Sequence, residues 1–268
     1  MSEWIVRHGA MRMLGSFIPE QENYARGQEV IVRSERGHEV GTLLCPSTPE
    51  ILASLPEPTN GRILRRMTEA DQAHRTRLRE MERQELQMCE RFVVQRRLQM
   101  ELVDVEHLFG GERIVFYFLA EKRVDFRELV KDLARECQTR IEMRQIGVRD
   151  EAKLLADYGD CGKPVCCNTH MVQMPPVSMR MAKMQKSTLD PSKISGRCGR
   201  LKCCLRFEQD VYEEHAAELP AVGTRVVTSK GQGKVLAHEI LARRLLVEFE
   251  DGRRLPVTLA EVLTRLGR

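Results

Sequence analysis

The chain has 268 residues, 42% of them hydrophobic and 31% charged, with a formal net charge of +4, values typical of a globular protein with one large domain or two or three small ones. No stretch approaches the ~20 continuous apolar residues of a membrane span, and the first residues lack the basic segment and apolar run of an export signal. We therefore expect a cytoplasmic protein whose cysteines stay reduced, without a disulfide framework.

Residues 1–61 are predicted to form an N-terminal β unit that ends in a proline-rich linker. Two apolar stretches, 27–33 and 38–44, flank a Ser-Glu-Arg-Gly turn and are typical of short strands. Residues 46–61 carry four prolines, which favours an extended linker.

Residues 62–98 are predicted as a long charged helix. Thr68-Glu-Ala-Asp71 has the pattern of a capping box, and residues 61–100 contain ten arginines and no lysine. The simpler interpretation is a solvated helix packed on the next domain. A coiled coil that binds a partner is the alternative.

Residues 99–155 are predicted as a compact αβ unit. It would contain a hairpin of strands 102–107 and 114–119, a helix with apolar residues at helical spacing up to Cys137, and a strand from residue 139. Cys137 falls on the apolar face of that helix. We expect Cys137 and the two other single cysteines, Cys45 and Cys89, to be structural.

Residues 156–215 form a cysteine-rich segment with an internal repeat. The heptapeptide Cys161–Cys167 recurs 37 residues later as Cys198–Cys204, and both copies read C-G-[K/R]-x-x-C-C. These two copies hold six of the nine cysteines. From Cys161 to Arg206 there are nine lysines and arginines and a single acidic residue, Asp190.

Residues 216–268 are predicted as a small SH3-like β unit, since apolar stretches flank an Asp-Gly turn at residues 251–252. The predicted class is therefore α+β, with small β units at both ends, a long helix, a central αβ unit and a cysteine-rich segment that binds a metal or a cluster.

The repeated motif predicts a loop cysteine followed by a helix that carries the Cys-Cys pair, with Pro164 placed as a first helical residue. Adjacent residues of a helix project about 100° apart, so the two members of a pair do not easily reach one metal. We expect four ligands per centre, two from each copy. The candidate ligands are Cys161, Cys166, Cys167, Cys198, Cys203 and Cys204.

Four thiolates suit an iron–sulfur cluster or tetrahedral zinc. An iron–sulfur cluster is favoured because the spacing is wider than that of most structural zinc sites. Thiol-redox chemistry is a third possibility, although a C-x-x-C motif is absent.

The sequence predicts no enzyme, since it shows no nucleophile with a base and no phosphate-binding loop. The basic segment favours either charge balance for the cysteines or binding of RNA. It lacks aromatic residues, which single-strand binders use for stacking. A zinc module associated with RNA or the ribosome is the alternative function.

Four segments resemble the Psp-one C-terminal-domain family of bacteria, whose members are YaaT- or RicT-like subunits. They are Val124–Leu133, Arg144–Lys153, Cys161–Cys167 and Lys193–Leu205.

The resemblance implies a cytoplasmic, non-enzymatic subunit. Such a subunit joins two small helical proteins, RicA and RicF, in a complex with four-iron four-sulfur clusters that assists ribonuclease Y in mRNA maturation and affects sporulation. All six family cysteines match residues of this chain.

Overall fold

The computed structural model describes residues 2–21, 23–155 and 158–266. These residues contain seven α-helices and thirteen strands, so the predicted α+β class is confirmed. The chain divides into two compact units, the first up to Met174 together with Arg197–Gly199, and the second formed by the rest. Of the predicted segment boundaries, residues 1, 156 and 268 lie outside the described residues.

The first unit begins with a closed five-stranded barrel. Its strands are β1 (Trp4–His8), β2 (Met13–Pro19), β3 (Glu29–Ser34), β4 (Gly37–Pro46) and β5 (Thr59–Arg66). They pair in the order β1-β2-β5-β3-β4, and β4 closes the barrel on β1. Only the β2–β5 pair is parallel among these. The barrel is filled by the buried side chains of Val6, Phe17, Val30, Val32, Leu43 and Ile63.

Residues 46–61 are not the linker that their prolines predict. Helix α1 (Pro49–Ser54) begins there, and its N-cap Thr48 accepts a hydrogen bond from the Ile51 amide at 3.4 Å. Strand β5 follows and completes the barrel. Gly61 is required in β5, because a Cβ there would lie 2.3 Å from the Arg33 carbonyl oxygen. The β unit therefore extends to Arg66, beyond the predicted boundary.

The long charged helix is present as α2 (Glu69–Gln95). It begins with the predicted capping box, in which the Thr68 hydroxyl accepts from the Asp71 amide at 3.3 Å and the Asp71 carboxylate accepts from the Thr68 amide at 2.9 Å. Leu78, Cys89 and Val93 are buried on one face. This face packs on the αβ unit, as the simpler interpretation predicts.

The αβ unit completes the first compact unit. Its elements are β6 (Glu101–His107), β7 (Arg113–Leu119), α3 (Arg127–Cys137), β8 (Arg140–Gln145) and α4 (Val148–Leu155). Strand β7 is central, antiparallel to β6 and parallel to β8. Helices α2 and α3 cover one face of the sheet. On the other face Met11 and Leu154 pack near Tyr117, so α4 and the β1–β2 turn share this side.

The second unit consists of three helices and a β-sheet. The helices are α5 (Met179–Met184), α6 (Pro191–Ile194) and α7 (Cys204–Glu218). The strands are β9 (Arg225–Thr228), β10 (Gly231–Glu239), β11 (Arg244–Phe249), β12 (Arg254–Thr258) and β13 (Val262–Leu266). Their order is β12-β11-β10-β9-β13. In the described residues β12 and β13 are the edge strands of this sheet.

No helix in the described ranges is long and apolar enough to cross a membrane.

Candidate functional site

The first cysteine motif lies in a short hairpin. Tyr158 and Pro164 form an antiparallel β-bridge. Inside the bridge, the Gly159 amide donates to the Lys163 carbonyl at 2.9 Å. Gly162 has a φ of +75°, a conformation that favours glycine, which explains the glycine after the first cysteine. Cys161 is therefore held in a tight turn, where its side chain is exposed.

The second motif repeats this hairpin residue for residue. Ser195 and Leu201 form the bridge, the Gly196 amide donates to the Arg200 carbonyl at 2.8 Å, and Gly199 has a φ of +70°. Every position is displaced by 37 from its counterpart in the first hairpin. The sequence repeat is thus also a repeat of backbone structure.

After the hairpins the two copies begin alike and then differ. In the first copy the Thr169 amide donates to the Cys166 carbonyl at 3.2 Å, and in the second the Arg206 amide donates to the Cys203 carbonyl at 3.0 Å. The first copy stops after the single 3-10 turn Cys166–Asn168. The second continues into α7, with Cys203 as its N-cap.

The predicted helix after each loop cysteine is therefore confirmed for the second copy only. Pro164 is not a first helical residue but a member of the bridge. A proline in the first turn needs an N-cap side chain before it, and the residue before Pro164 is Lys163, whose carbonyl is bound to the Gly159 amide.

Of the six motif cysteines, Cys161 is exposed and the other five are half-buried. Burial raises the pKa of Cys204, and the neighbouring Cys203 adds to this effect, while Lys202 opposes it.

Thiols are the donors that both zinc and iron–sulfur clusters take, so the chemistry of the donor set fits either group. In the described residues, however, no three His, Cys, Asp or Glu side chains are arranged to hold a metal ion. Cys198 groups with the first compact unit, like Cys161, Cys166 and Cys167, whereas Cys203 and Cys204 belong to the second. The four-ligand centre stays a prediction.

The first unit also holds a cavity of mixed charge that sequence analysis did not predict, lined by five carboxylates and five cationic side chains. This cavity of about 510 Å³ is lined in part by Glu82, Asp104, Glu106 and His107. Burial, with the other carboxylates adding to it, raises the pKa of Glu82 to about 7, although a hydrogen bond from the His107 amide opposes the shift. Burial also raises the pKa of Asp104.

A charged network borders this cavity. Arg36 pairs with the buried carboxylates of Glu39 and Glu106, and the Tyr117 hydroxyl donates to Glu106 at 2.7 Å. Burial, together with the Glu106 charge, raises the pKa of Tyr117 strongly, so the hydroxyl keeps its proton. The acidic side chains are thus held by structural hydrogen bonds.

A second cavity in the first unit adjoins the first cysteine motif. It has a volume of about 350 Å³, and its lining includes Arg7, Arg144, Lys153 and Cys167. Burial lowers the pKa of Lys153, and the nearby Asp150 and Cys167 partly offset this effect. The sequence did not predict this cavity, because its cationic residues are far apart along the chain.

Comparison with known protein families matches two parts of the chain. Residues 61–146 match the PSP1 C-terminal conserved region, and residues 176–219 match the third domain of PSP1-like proteins. The resemblance inferred from the motifs is thereby confirmed. The PSP1 region runs from β5 to the residue after β8, and the third-domain match contains the second cysteine motif.

Two curated relatives are similar to parts of the chain. Stage 0 sporulation protein YaaT of Bacillus subtilis (strain 168) is 48% identical over 162 residues, which are 60% of this chain and 59% of that protein. An uncharacterized protein of Schizosaccharomyces pombe is 31% identical over 140 residues, 42% of this chain and 19% of that protein. Each match spans less than two thirds of the relative. No solved structure matches the chain.

Proposed function

We propose that this protein is a cytoplasmic, non-enzymatic adaptor that binds an iron–sulfur cluster, of the four-iron four-sulfur type, through its two cysteine hairpins. The duplicated hairpin carries the proposal, since two copies of one backbone turn each display a thiol beside a Cys-Cys pair. A thiolate cluster carries negative charge, and the surrounding segment has nine cationic residues against one acidic residue. This charge pattern suits a cluster without requiring RNA.

The proposed process is ribonuclease Y-dependent mRNA maturation, in a complex with RicA- and RicF-like small helical proteins. Support comes from the resemblance of the motifs and from the similarity to a sporulation protein. In this proposal the chain assembles its partners and does not cleave RNA itself.

The cluster is tested by anaerobic purification of the full chain, followed by iron, acid-labile sulfide and zinc analysis. We expect iron and sulfide in equal, stoichiometric amounts. Cys161→Ser and Cys198→Ser should each reduce both to background. Cys45→Ser is the matched control, because Cys45 is also half-buried but lies outside the motifs in β4, and it should retain the wild-type iron content.

The adaptor role is tested by size-exclusion chromatography with RicA- and RicF-like proteins from the same genome. Co-elution that requires the motif cysteines would support it. The claim that the chain itself is no nuclease fails if the purified protein alone cleaves an mRNA substrate of ribonuclease Y.

A zinc-binding module associated with RNA or the ribosome is the second candidate, favoured by the cationic segment around the cysteines. Stoichiometric zinc without sulfide would select it over the cluster. Its RNA affinity should then fall steeply with salt, because each phosphate contact releases a counterion.

A further inference from the structure

We propose that the cavity beside the first cysteine motif binds the phosphate monoester of a nucleotide, either as a free nucleoside 5′-monophosphate or as the 5′-phosphorylated end of an RNA. This cavity, here called the cationic cavity, has a volume of about 350 Å³. Its binding activity would be independent of the cluster.

Four elements of the first unit contribute cations to the cationic cavity. Arg7 comes from β1, Arg12 from the β1–β2 turn, Arg144 from β8 and Lys153 from α4. The described lining contains one carboxylate, Glu57, on an exposed residue. The cationic cavity therefore gathers positive charge where the barrel, the sheet and α4 meet, although Arg7, Arg12 and Lys153 also line the larger cavity with its five carboxylates.

Three of these cations form no salt bridge in the described part of the chain, although the charge of Asp150 acts on Lys153. Arg7, Arg144 and Lys153 make no ion pair or side-chain hydrogen bond there, although each is half-buried. Other arginines of the same unit are paired with carboxylates; they are Arg36, Arg65, Arg75, Arg96 and Arg113. Half-buried cations without a partner are costly, and a bound anion would offset that cost.

A phosphate is the anion that suits this lining best. Guanidinium groups bind phosphate oxygens through paired N–H donors, and an ammonium binds them as a point charge. Two arginines and a lysine carry three positive charges, enough to balance the two negative charges of a phosphate monoester.

The rest of the lining favours a nucleotide over inorganic phosphate. Leu44, Leu55 and Met171 provide an apolar wall. Asn168 lines the same cavity, and its side-chain oxygen is buried without a hydrogen-bond partner among the described residues. Such an acceptor is satisfied by a ligand hydroxyl, such as that of a ribose. The volume lies in the range of about 300–1,000 Å³ that is usual for small-molecule sites.

Isothermal titration calorimetry on the full chain tests this proposal. The probes are the four nucleoside 5′-monophosphates, the corresponding nucleosides, inorganic phosphate, and one short RNA with either a 5′-phosphate or a 5′-hydroxyl. We expect at least one 5′-phosphorylated probe to bind at least tenfold more tightly than its phosphate-free counterpart, a difference of about 1.4 kcal/mol. Binding of the monophosphates identifies a free nucleotide as the source, and binding of the phosphorylated RNA alone identifies an RNA end.

Variants connect the binding to the cationic cavity. Arg144→Gln and Lys153→Gln should each weaken binding of the phosphorylated probe about tenfold or more. Arg33→Gln, in an exposed position on β3 outside the cavity, is the charge-matched control and should bind like the wild type. Circular dichroism and iron content, measured on every variant, separate loss of binding from loss of fold or of cluster.

Equal affinity for phosphorylated and phosphate-free probes would overturn the proposal. The same conclusion would follow if no phosphorylated probe bound at millimolar concentration, or if Arg144→Gln and Lys153→Gln bound as well as Arg33→Gln. The proposal is also wrong if the wild type binds no nucleotide while Arg144→Gln and Lys153→Gln shift the reduction potential of a bound cluster. That result would show that these cations balance the charge of the cysteines instead.

Discussion

Replacing Glu82 with glutamine should stabilise the first compact unit at pH 8 and have a much smaller effect at pH 5. Glu82 is half-buried on α2, and one of its carboxylate oxygens accepts a hydrogen bond from the His107 amide at 2.9 Å. Loss of solvation, with Asp104, Glu106 and Glu85 adding to it, raises its pKa from 4.5 to about 7. Glutamine keeps the oxygen acceptor and removes the charge.

The sign follows from linkage between protonation and folding. Below pH 4.5 the Glu82 carboxyl is protonated in both states and costs nothing. As pH rises from 4.5 to about 7 the unfolded chain loses this proton while the folded chain retains it, so the folded state loses stability, and above pH 7 the loss is complete. The pKa difference corresponds to a ceiling of about 3.4 kcal/mol. Because water still reaches the side chain, the actual effect is smaller than this ceiling. We expect Glu82→Gln to raise the free energy of unfolding by about 2 kcal/mol at pH 8 and by about a quarter of that at pH 5.

Thermal unfolding of the full chain, followed by tryptophan fluorescence, measures this difference. The single tryptophan, Trp4, lies in β1 of the first unit and therefore reports on the unit that contains Glu82. A gain of about 2 kcal/mol should raise the midpoint by roughly 4–8 °C at pH 8. Glu80→Gln, at an exposed position of the same helix, should leave the midpoint unchanged. An equal gain at both pH values, or a loss at pH 8, would refute the reasoning.

Three further substitutions test the surrounding structure. Arg36→Met leaves the buried carboxylates of Glu39 and Glu106 without their cation. It should lower the free energy of unfolding, measured in urea, by about 3 kcal/mol, and a decrease below about 1 kcal/mol would contradict this reasoning. Thr68→Ala removes the N-cap of α2 and should cost about 1 kcal/mol, with serine restoring it. Gly162→Ala forces a side chain into a φ of +75° and should destabilise the first cysteine hairpin by about 1–2 kcal/mol. The hairpin amides should then exchange their hydrogens faster. Unchanged exchange would contradict this prediction.

The helices that the sequence predicts correctly are those with local signals. Thr68 and Asp71 specify the start of α2 within four residues. Asp190 before Pro191 is a similar local signal at the start of α6, where the Asp190 carboxylate accepts a hydrogen bond from the Ser192 amide at 3.0 Å. The sequence did not predict that the barrel closes. Its closure depends on the parallel pairing of β2 with β5, which are separated by roughly forty residues of chain, and such distant pairing leaves no local sequence pattern.

The prolines show which sequence pattern marks the start of a helix in this chain. Pro49 and Pro191 both stand in the first turn of a helix, and each follows a residue whose side-chain oxygen caps it, Thr48 and Asp190. Pro164 follows a lysine and lies in a β-bridge. A proline thus predicts a helix start only together with its cap, and the proline-rich stretch that suggested a linker contains such a pair.

The two cavities could not be predicted for a different reason. Arg7, Arg144 and Lys153 come from a barrel strand, a sheet strand and a helix, and only the tertiary fold brings them to one cavity. The cysteine repeat is the opposite case, because each hairpin is built by residues within seven positions of one another. The sequence therefore predicts the repeated motif but not the cationic cavity beside it.

The equivalence of the two hairpins narrows the choice of ligands. Cys161 corresponds to Cys198, Cys166 to Cys203 and Cys167 to Cys204, since bridges, glycine turns and the following hydrogen bonds coincide at each position. A centre that takes equivalent residues from both copies uses the two loop cysteines with either the first or the second member of each pair. The first members begin the turn, and their carbonyls accept hydrogen bonds from the amides of Thr169 and Arg206. In the second members, Cys204 favours the protonated thiol because of burial, and Cys167 lines the cationic cavity. A symmetric four-thiolate centre, which stays a prediction, therefore takes Cys161 and Cys198 with either Cys166 and Cys203 or Cys167 and Cys204.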